Sequence, residues 1–203
     1  GGDSFLDPKV RTNLRKFVYE GGGFIGIGDP TAYQHQGRFF QLADVMGVDV
    51  EKGFSQGYDR YFTEEAKDHF ITKGLEKYVY GEERPNVYSL SEKTQILKYA
   101  NNEVQMAAND YGKGRSFYAM GLAYSLENTR LLKRAIHYVA HKEDELEKYF
   151  AKDLRLEVAA YPDLNKYCVI NNSTDNVKSL VYDGKGNSHE VEIEAGDLIW
   201  FEE

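Results

Sequence analysis

The chain has 203 residues and a formal net charge of −8, with 41% hydrophobic and 14% aromatic residues and one cysteine. This length suits one large domain, or a medium and a small one. The negative charge argues against a nucleic-acid partner, which needs a clustered positive surface. One cysteine excludes an intrachain disulfide and a cysteine-based metal cluster. No apolar run approaches the roughly 20 residues of a membrane span, and no signal-peptide pattern opens the chain.

A helix is predicted over residues 8–20. Asp7 and Pro8 suit an N-cap and a first helical position, and Gly21 suits the position after the helix end. Apolar residues recur on one face at helical spacing, namely Val10, Leu14, Phe17 and Val18. Because Gly1-Gly2-Asp3 contains no initiator Met and leads almost at once into this helix, we expect the chain to be a fragment of a longer protein.

The next element is a short strand over residues 24–28, which is apolar on both alternations. That pattern favours a strand covered on two faces, as in a parallel sheet. The string Gly21-x-Gly23-x-x-Gly26 matches a dinucleotide fingerprint in letters, but the fingerprint follows a strand and opens a helix. Here it precedes the strand, so we reject a nucleotide site.

A second helix is predicted over residues 38–46, ended by Gly47, and its order after the strand is typical of an α/β fold. Residues 48–85 are rich in Gly, Tyr, Asp and Lys and form a long excursion. Further strands are predicted over 86–90, 94–99, 104–109 and 116–120, with a tight turn at 112–115 and a helix over 127–141.

The composition changes after residue 141. Residues 142–153 are charged and extend or link the preceding helix. Five short strand-like runs follow, separated by turn residues, over 154–160, 167–171, 177–183, 189–194 and 198–201. They predict a small all-β module that is marginal by itself.

Polar residues follow the 24–28 strand at the point where an open α/β sheet gathers its ligands. An Asp with a Thr and a Tyr can bind sugar hydroxyls, and an Arg near a helix start can hold an anion. These candidate substrate-binding residues are Asp29, Thr31, Tyr33 and Arg38, with His35 beside them. The alternative is that Asp29-Pro30 is a simple turn and that Arg38 pairs with a nearby acid.

Three other patterns are weaker. The segment Gly53–Gly57 matches the nucleophile elbow around Ser55, but 48–52 reads as a poor buried strand and 58–61 as a poor helix start. His137 and His141 have the spacing of a zinc pair, without an intervening Glu or an evident third ligand. We interpret them as part of a solvated helix end. Structural roles are also expected for His69, His189 and Cys168.

Several of these stretches carry a family resemblance. Gly-Gly-Gly-Phe-Ile-Gly-Ile-Gly-Asp-Pro-Thr-Ala-Tyr (21–33), the segment 37–49 and the opening Gly1-Gly2-Asp3 resemble the middle domain of galacto-N-biose/lacto-N-biose phosphorylases. That family includes galactosyl-rhamnose phosphorylases. Segments 68–75 and 111–115 are similar to glutamine-amidotransferase-like domains found beside carbohydrate enzymes. The β tail is similar to the small C-terminal β domain of the same phosphorylases and of related β-galactosidases.

The resemblance implies the following fold. Residues 1–148 form an α/β domain with a flavodoxin/glutamine-amidotransferase-like sheet and flanking helices, incomplete at its N-terminus. Residues 149–203 form a small antiparallel all-β domain. An amidotransferase would need a cysteine nucleophile at a strand-to-helix elbow. Because Cys168 lies in the β module, we do not expect that activity.

The resemblance also implies a function for the parent protein, an inverting glycosyltransferase-type phosphorylase. Phosphate attacks the anomeric carbon of a β-galactoside, giving galactose 1-phosphate and the free sugar (from lacto-N-biose, galacto-N-biose or galactosyl-rhamnose). In the family the general acid and most sugar contacts come from an upstream barrel domain that this sequence does not contain. We therefore assign no catalytic residue, no metal and no cofactor here, and we expect a non-catalytic portion.

The remaining expectations concern partners. The implied partners are the upstream barrel and a second copy in a homodimer, in the bacterial cytoplasm, without nucleic acid or membrane. The alternative function is a free-standing carbohydrate-binding or protein-interaction domain without enzymatic activity. The length of the native polypeptide separates the two hypotheses, since only the first requires a longer protein.

Overall fold

The computed structural model describes residues 6–30, 40–51, 61–75 and 86–203. Contacts divide the chain into two compact units, Gly1–His141 and Lys142–Glu203. Within the described ranges, none of the helices combines the length and the apolar character that crossing a membrane requires. The helices and strands of the first unit are α1 (Pro8–Tyr19), β1 (Gly23–Ile27), α2 (Ala43–Met46), β2 (Val48–Val50), β3 (Val87–Ser89), β4 (Gln95–Ala100), β5 (Glu103–Tyr111), β6 (Gly114–Ala119) and α3 (Leu126–Val139).

The main sheet of the first unit is mixed. Its described strands have the order β1-β6-β5-β4. β1 pairs in parallel with β6, from Gly23 opposite Arg115 to Ile27 opposite Ala119. β5 runs antiparallel to both β6 and β4. β2 and β3 form a separate antiparallel pair.

Both faces of β1 are covered, as its apolar pattern predicts. Phe24 packs against the cluster that contains Phe40 and Met46. Ile25, on the opposite face, packs against the cluster that contains Phe117 and Leu131. The parallel pairing and the packing on both faces are therefore confirmed for this strand, whose Phe24 and Ile25 side chains are partly buried.

The predicted ends of α1 are confirmed, but two residues of its apolar face are not buried. The Asp7 carboxylate accepts a hydrogen bond from the N–H of Lys9 at 2.8 Å, as an N-cap does. Gly21 follows the helix with a φ of 121°, a left-handed-side value that suits glycine. Val18 is fully buried, but Val10 and Phe17 are 44% and 56% exposed. The described chain thus leaves part of the apolar face of α1 in solvent.

The second helix is shorter than predicted. α2 begins at Ala43, and residues 38 and 39 lie outside the described part. Phe40 lies before the helix, and its N–H donates to the Asp49 carboxylate at 2.8 Å. Gly47 ends the helix with a φ of 72°, where its missing Cβ leaves room for Asn109 and Thr94.

The interpretation of 48–52 as a poor buried strand is wrong for its first three residues. Val48, Asp49 and Val50 form β2 and are all buried. The charge of Asp49 is tolerated because its carboxylate accepts hydrogen bonds from the N–H groups of Phe40 and Val50, each at 2.8 Å. Because a buried strand is expected to be apolar, a buried Asp that accepts hydrogen bonds from backbone N–H groups makes this strand hard to recognise in the sequence.

The remaining elements of the first unit follow the predictions closely. The tight turn at Gly112-Lys113 joins β5 to β6 as an antiparallel hairpin. Ser125 caps α3 by accepting a hydrogen bond from the N–H of Asn128 at 3.1 Å. Leu131 and Ala135 are buried against the sheet, whereas Ile136 is 49% exposed.

The second unit is an all-β module with one strand more than predicted. Its elements are the 3₁₀ turns Glu143–Glu145 and Pro162–Leu164 and the strands β7 (Phe150–Ala151), β8 (Leu156–Tyr161), β9 (Lys166–Asn171), β10 (Val177–Tyr182), β11 (Ser188–Ile193) and β12 (Leu198–Glu202). They form two antiparallel sheets, β12-β9-β8 and β11-β10-β7. Residues 142–153 do not extend α3, which stops before His141, a residue with a φ of 56°.

The buried side-chain amide of Asn171 links several segments of the second unit. The Asn171 side-chain N–H groups donate to the carbonyls of Asp175, Ile193 and Glu194 at 2.8, 3.1 and 3.0 Å. Asn171 is 1% exposed and lies at the end of β9, so it fixes the turn regions next to β10 and β11. The apolar core of the unit is built from both sheets and contains Leu156, Val169, Val177, Val181 and Ile193.

Candidate functional site

The candidate site lies where the chain leaves β1. Gly28 follows the strand with a φ of 71°, and its N–H donates to the carbonyl of Ala119 at 2.9 Å. The Tyr118 hydroxyl donates to the Gly28 carbonyl at 3.3 Å. These two contacts hold the exit of β1 beside the end of β6. Asp29, the next residue, is 8% exposed.

Pro30 turns the chain back over the sheet. A Cβ on Gly26 would lie 2.9 Å from the Pro30 ring and 2.7 Å from the Met46 sulfur. Gly26 is therefore required by a close approach, because any side chain would displace Pro30 or α2. The loop after β1 consequently starts on the face of the sheet that carries α2.

The structure tests only part of the predicted group. Asp29 follows the carboxyl end of β1, as the pattern predicts, and the structure adds that it is buried. Thr31, Tyr33, His35 and Arg38 lie in the segment 31–39, outside the described residues, so their association with Asp29 stays a prediction. Ser55 and its surrounding glycines likewise lie outside the described residues.

Gln105 is a buried polar residue that the sequence analysis did not single out. Its backbone carbonyl accepts a hydrogen bond from the N–H of Met120 at 2.8 Å. Gln105 therefore lies opposite the end of β6, at the same end of the sheet as Asp29. The side chain is 2% exposed, and its Oε1 atom has no hydrogen-bond partner in the described part of the chain. A polar residue inside the apolar run 104–108 is the signal that could have found it.

A second polar group lies at the opposite end of the sheet. Arg15 on α1 binds Asp44 on α2 with two hydrogen bonds of 2.7 and 2.9 Å. Tyr111, at the end of β5, donates to the same carboxylate at 3.2 Å. The hydrogen bond that Arg15 donates to Asp44 raises the pKa of Arg15, and burial together with Asp44 raises the pKa of Tyr111. Because each charge is paired inside the fold, this group has a structural role.

The structural interpretation of the isolated histidines is confirmed. The Nδ1 atom of His69 accepts from the N–H of Ile71 at 3.2 Å, and its ring packs edge-on against Tyr138 with centroids 4.8 Å apart. The Nε2 atom of His189 lies 3.3 Å from the Tyr167 hydroxyl. Both rings are therefore engaged in packing.

The zinc-pair pattern is broken by the end of α3, since His137 lies in the helix and His141 lies beyond it. No three potential metal-ligating side chains come together within the described ranges. Cys168 is buried in the middle of β9, as expected for a structural residue.

Comparison with known proteins decides the family. Residues 1–144 match the family model described as the lacto-N-biose phosphorylase central domain. Residues 149–201 match the model described as the lacto-N-biose phosphorylase C-terminal domain. The chain belongs to the lacto-N-biose phosphorylase family. The resemblance carried by residues 21–49 is thereby confirmed.

Two curated relatives show how much of such a protein the chain represents. It is 46% identical to a 1,3-beta-galactosyl-N-acetylhexosamine phosphorylase of Lachnoclostridium phytofermentans, over 100% of this chain and 28% of that protein. It is 28% identical to a D-galactosyl-beta-1->4-L-rhamnose phosphorylase of the same species, over 98% of this chain and 27% of that protein. The chain thus spans less than a third of the length of these members of the lacto-N-biose phosphorylase family.

Solved structures support the fold. A cold-adapted beta-galactosidase from Rahnella sp. matches with a TM-score of 0.59 and 13% identity, over 98% of this chain and 31% of that chain. At this identity the likeness concerns the fold alone. It shows that folds like those of this lacto-N-biose phosphorylase family member also occur within a larger protein.

Proposed function

We propose that this chain is the non-catalytic C-terminal portion of an inverting β-galactoside phosphorylase, a glycosyltransferase-type enzyme. The observation that carries the proposal is the pair of family matches, to a central and a C-terminal domain, in a chain that covers 28% of a phosphorylase relative. The relatives' shared activity supports phosphorolysis as the reaction of the whole protein. The higher identity to the N-acetylhexosamine enzyme favours a 1,3-β-galactosyl-N-acetylhexosamine over a galactosyl-rhamnose substrate.

The reaction proposed for the whole protein is a single displacement. A phosphate oxygen attacks the anomeric carbon of the β-galactosyl group while the glycosidic C–O bond breaks, which inverts the configuration. A carboxylic acid protonates the leaving oxygen, so the products are galactose 1-phosphate and the free acceptor sugar. We place that acid and most of the sugar contacts in an upstream barrel domain. The present chain then contributes support for that domain.

The loop after β1 is the proposed contribution of this chain to the mouth of the active site. Asp29 is buried at the carboxyl end of a strand of the mixed sheet, where ligands collect in such folds. We propose that Asp29 acts with Thr31, Tyr33 and Arg38 in binding substrate. The buried and unpartnered Oε1 of Gln105, at the same end of the sheet, supports a polar function there.

We further propose that residues 1–148 are part of a flavodoxin/amidotransferase-like domain and that 149–203 are a separate β domain. The parallel β1–β6 pair with helices on both faces supports the first statement. A bacterial cytoplasmic location is supported by the single, buried cysteine. A homodimer follows from the family resemblance and is tested by the mass of the whole protein in solution.

The test compares the purified 203-residue chain with the whole native protein. Each is incubated with lacto-N-biose and inorganic phosphate, and galactose 1-phosphate is measured. We expect the product from the whole protein and none from the 203-residue chain. Product from the 203-residue chain would refute the non-catalytic assignment. A native protein with an intact mass of 23.2 kDa would favour the free-standing binding domain instead.

A further inference from the structure

β1 and β6 are parallel neighbours whose chains leave the sheet on opposite faces. After β1, Pro30 lies against Gly26 on the face that carries α2. After β6 the chain enters α3, whose Leu131 packs with Ile25 on the other face. Where the connections of two neighbouring parallel strands diverge in this way, a crevice opens beyond their carboxyl ends, and ligands of open α/β sheets bind there.

Tyr124 lies at this edge of the sheet, in the segment 120–125 that joins β6 to α3. It is 93% exposed, more than any other large apolar side chain in the part of the chain that the structure describes. A single exposed aromatic side chain is ordinary on a protein surface. The position beside the crevice is what distinguishes Tyr124.

The backbone on both sides of Tyr124 is held by hydrogen bonds. The side-chain N–H of Asn128 donates to the carbonyl of Ala123 at 2.7 Å, and the backbone N–H of Asn128 donates to the Ser125 hydroxyl oxygen at 3.1 Å. The Thr129 hydroxyl donates to the carbonyl of Ser125 at 2.9 Å. The ring is therefore presented to solvent from a fixed backbone position, which lowers the entropic cost of binding a ligand.

The residues at this edge indicate a neutral ligand that has an apolar face and hydroxyl groups. The segment 120–125 contains no Lys and no Arg, so it offers no cationic side chain to an anion. The Tyr124 ring offers an apolar surface, and Asp29 and Gln105 place buried side-chain oxygens at the same end of the sheet. A pyranose ring matches this set, because its C–H groups fit an aromatic ring and its hydroxyl groups fit oxygen acceptors.

We propose that Tyr124 binds the acceptor sugar of the phosphorolysis by stacking its ring on the C–H face of that sugar. The inference rests on the proposed function, because the acceptor sugar is that of the proposed reaction. The galactosyl group is the terminal sugar of the substrate and lies deepest in the pocket of the barrel domain. The acceptor sugar occupies the outer part, where the loops after β1 and β6 reach it.

The reverse reaction of the whole native protein tests this assignment, because it separates the two sugars. Galactose 1-phosphate and N-acetylglucosamine are supplied, and the KM of each is measured with the other saturating. We expect Tyr124→Ala to raise the KM for N-acetylglucosamine about tenfold, since one stacked ring is lost. The KM for galactose 1-phosphate stays unchanged. Tyr124→Phe keeps the ring and is expected to keep both KM values.

Tyr19→Ala is the matched control. Tyr19 is 61% exposed and follows α1 into the amino end of β1, so it lies at the opposite end of the sheet. Its ring packs edge-on against Tyr111, with centroids 6.0 Å apart. We expect both KM values of this variant to equal those of the natural protein. Because the Tyr124 side chain is almost fully exposed, Tyr124→Ala is expected to fold, and its melting temperature verifies this.

The outcomes separate this inference from the proposed function. Unchanged KM values in an active Tyr124→Ala variant overturn the inference and leave the phosphorylase function standing. An equal rise of both KM values, or a rise that Tyr124→Phe shares, overturns it as well. A lower melting temperature with unchanged KM values assigns Tyr124 to a contact between domains and also overturns it. A whole protein that makes no disaccharide from galactose 1-phosphate overturns the proposed function and the inference together.

Discussion

The guanidinium of Arg15 holds the carboxylate of Asp44 through two hydrogen bonds, 2.7 Å from Nε and 2.9 Å from Nη2. Arg15 also donates to the carbonyl of Gln41, and Tyr111 reaches the same carboxylate. One residue of α1 thus fixes α2 and, through Tyr111, the end of β5. The planar fork of arginine makes this geometry possible, and a lysine cannot reproduce it.

Replacement Arg15→Lys is therefore expected to lower the free energy of unfolding by about 1 kcal/mol, since it keeps the charge and loses the paired hydrogen bonds. Urea unfolding of the 203-residue chain measures the change. The control is Lys16→Ala, whose partner Glu20 lies 3.8 Å away in a solvent-exposed pair. Equal losses for the two variants would show that the paired hydrogen bonds carry no special stability.

The buried carboxylate of Asp49 gives a second expectation. Asp49→Ala leaves the N–H groups of Phe40 and Val50 without this acceptor inside the core, which we expect to cost about 2–3 kcal/mol of unfolding free energy. Asp49→Asn keeps an acceptor oxygen and is expected to cost less. Asp110→Ala, at a side chain that is 68% exposed, is the matched control and should change stability little. An Asp49→Ala variant as stable as that control would contradict the structural role.

Gly114 makes a closer backbone approach than any side chain permits. A Cβ at this position would collide with the carbonyl oxygens of Val18 and Gly22, which belong to the α1–β1 connection. Gly114→Ala is expected to destabilise the first unit by about 2 kcal/mol or more. Gly74→Ala is the control, because Gly74 has a φ of 74° and open space around its Cβ position. Its cost is limited to about 1 kcal/mol of backbone strain, and thermal unfolding should rank the two variants in this order.

Asp183 provides an expectation about pH. Burial alone would raise the pKa of this carboxyl, but hydrogen bonds from the Asn187 side chain and from the N–H groups of Asn187 and Lys185 lower it below the usual value. Because the folded-state pKa is below the unfolded one, the stabilisation is present above about pH 4 and is lost as the pH falls through the folded-state value. Asp183 is partly exposed to solvent, so the effect is small.

A carbon-detected NMR titration of the Asp183 carboxyl measures that pKa directly. The variant Asp183→Asn should show a weaker loss of stability below pH 4 than the natural chain, since its side chain does not titrate. Asp163→Asn, at a 3₁₀ turn of the same unit, is the comparison. A titration of Asp183 at or above the usual Asp range would rule out the hydrogen-bond explanation.

The proposed substrate contact is tested by Asp29→Ala in the whole protein. Loss of one hydrogen bond between a charged group and a sugar hydroxyl is expected to lower kcat/KM for the galactoside about tenfold or more. Arg38→Ala should instead raise the KM for phosphate. Unchanged kinetics in a variant with an unchanged melting temperature would remove Asp29 from the site, and Asp110→Ala serves as the control for surface charge.

The local elements could be read from the sequence because their signals are local. Asp7, Pro8 and Gly21 mark the ends of α1, and the Gly112-Lys113 turn marks the β5–β6 hairpin. The elements that sequence reasoning missed depend on distant partners. Val48–Val50 is a strand only because β3 pairs with it and the Asp49 charge is satisfied by backbone N–H groups.

The same reasoning applies to the candidate site and to the apolar surface. Asp29 could be placed because a strand end is a local pattern, whereas Gln105 depends on the pairing of β5 with β6 and gives only a faint signal. The helical spacing of α1 correctly includes Phe17 on an apolar face. Phe17 is nevertheless 56% exposed within the described chain, because helical spacing groups apolar residues on a face but does not say what covers that face.

The position of Cys168 has an experimental consequence. The chain contains one thiol, and it is 3% exposed in β9, between β8 and β12. A thiol reagent can reach it only when the residues around it move away, because the reactive thiolate must contact solvent. The rate of labelling therefore reports how often this position in the second unit becomes exposed. The first unit contains no cysteine, so the natural chain already carries a site-specific probe for measuring whether its two units unfold together.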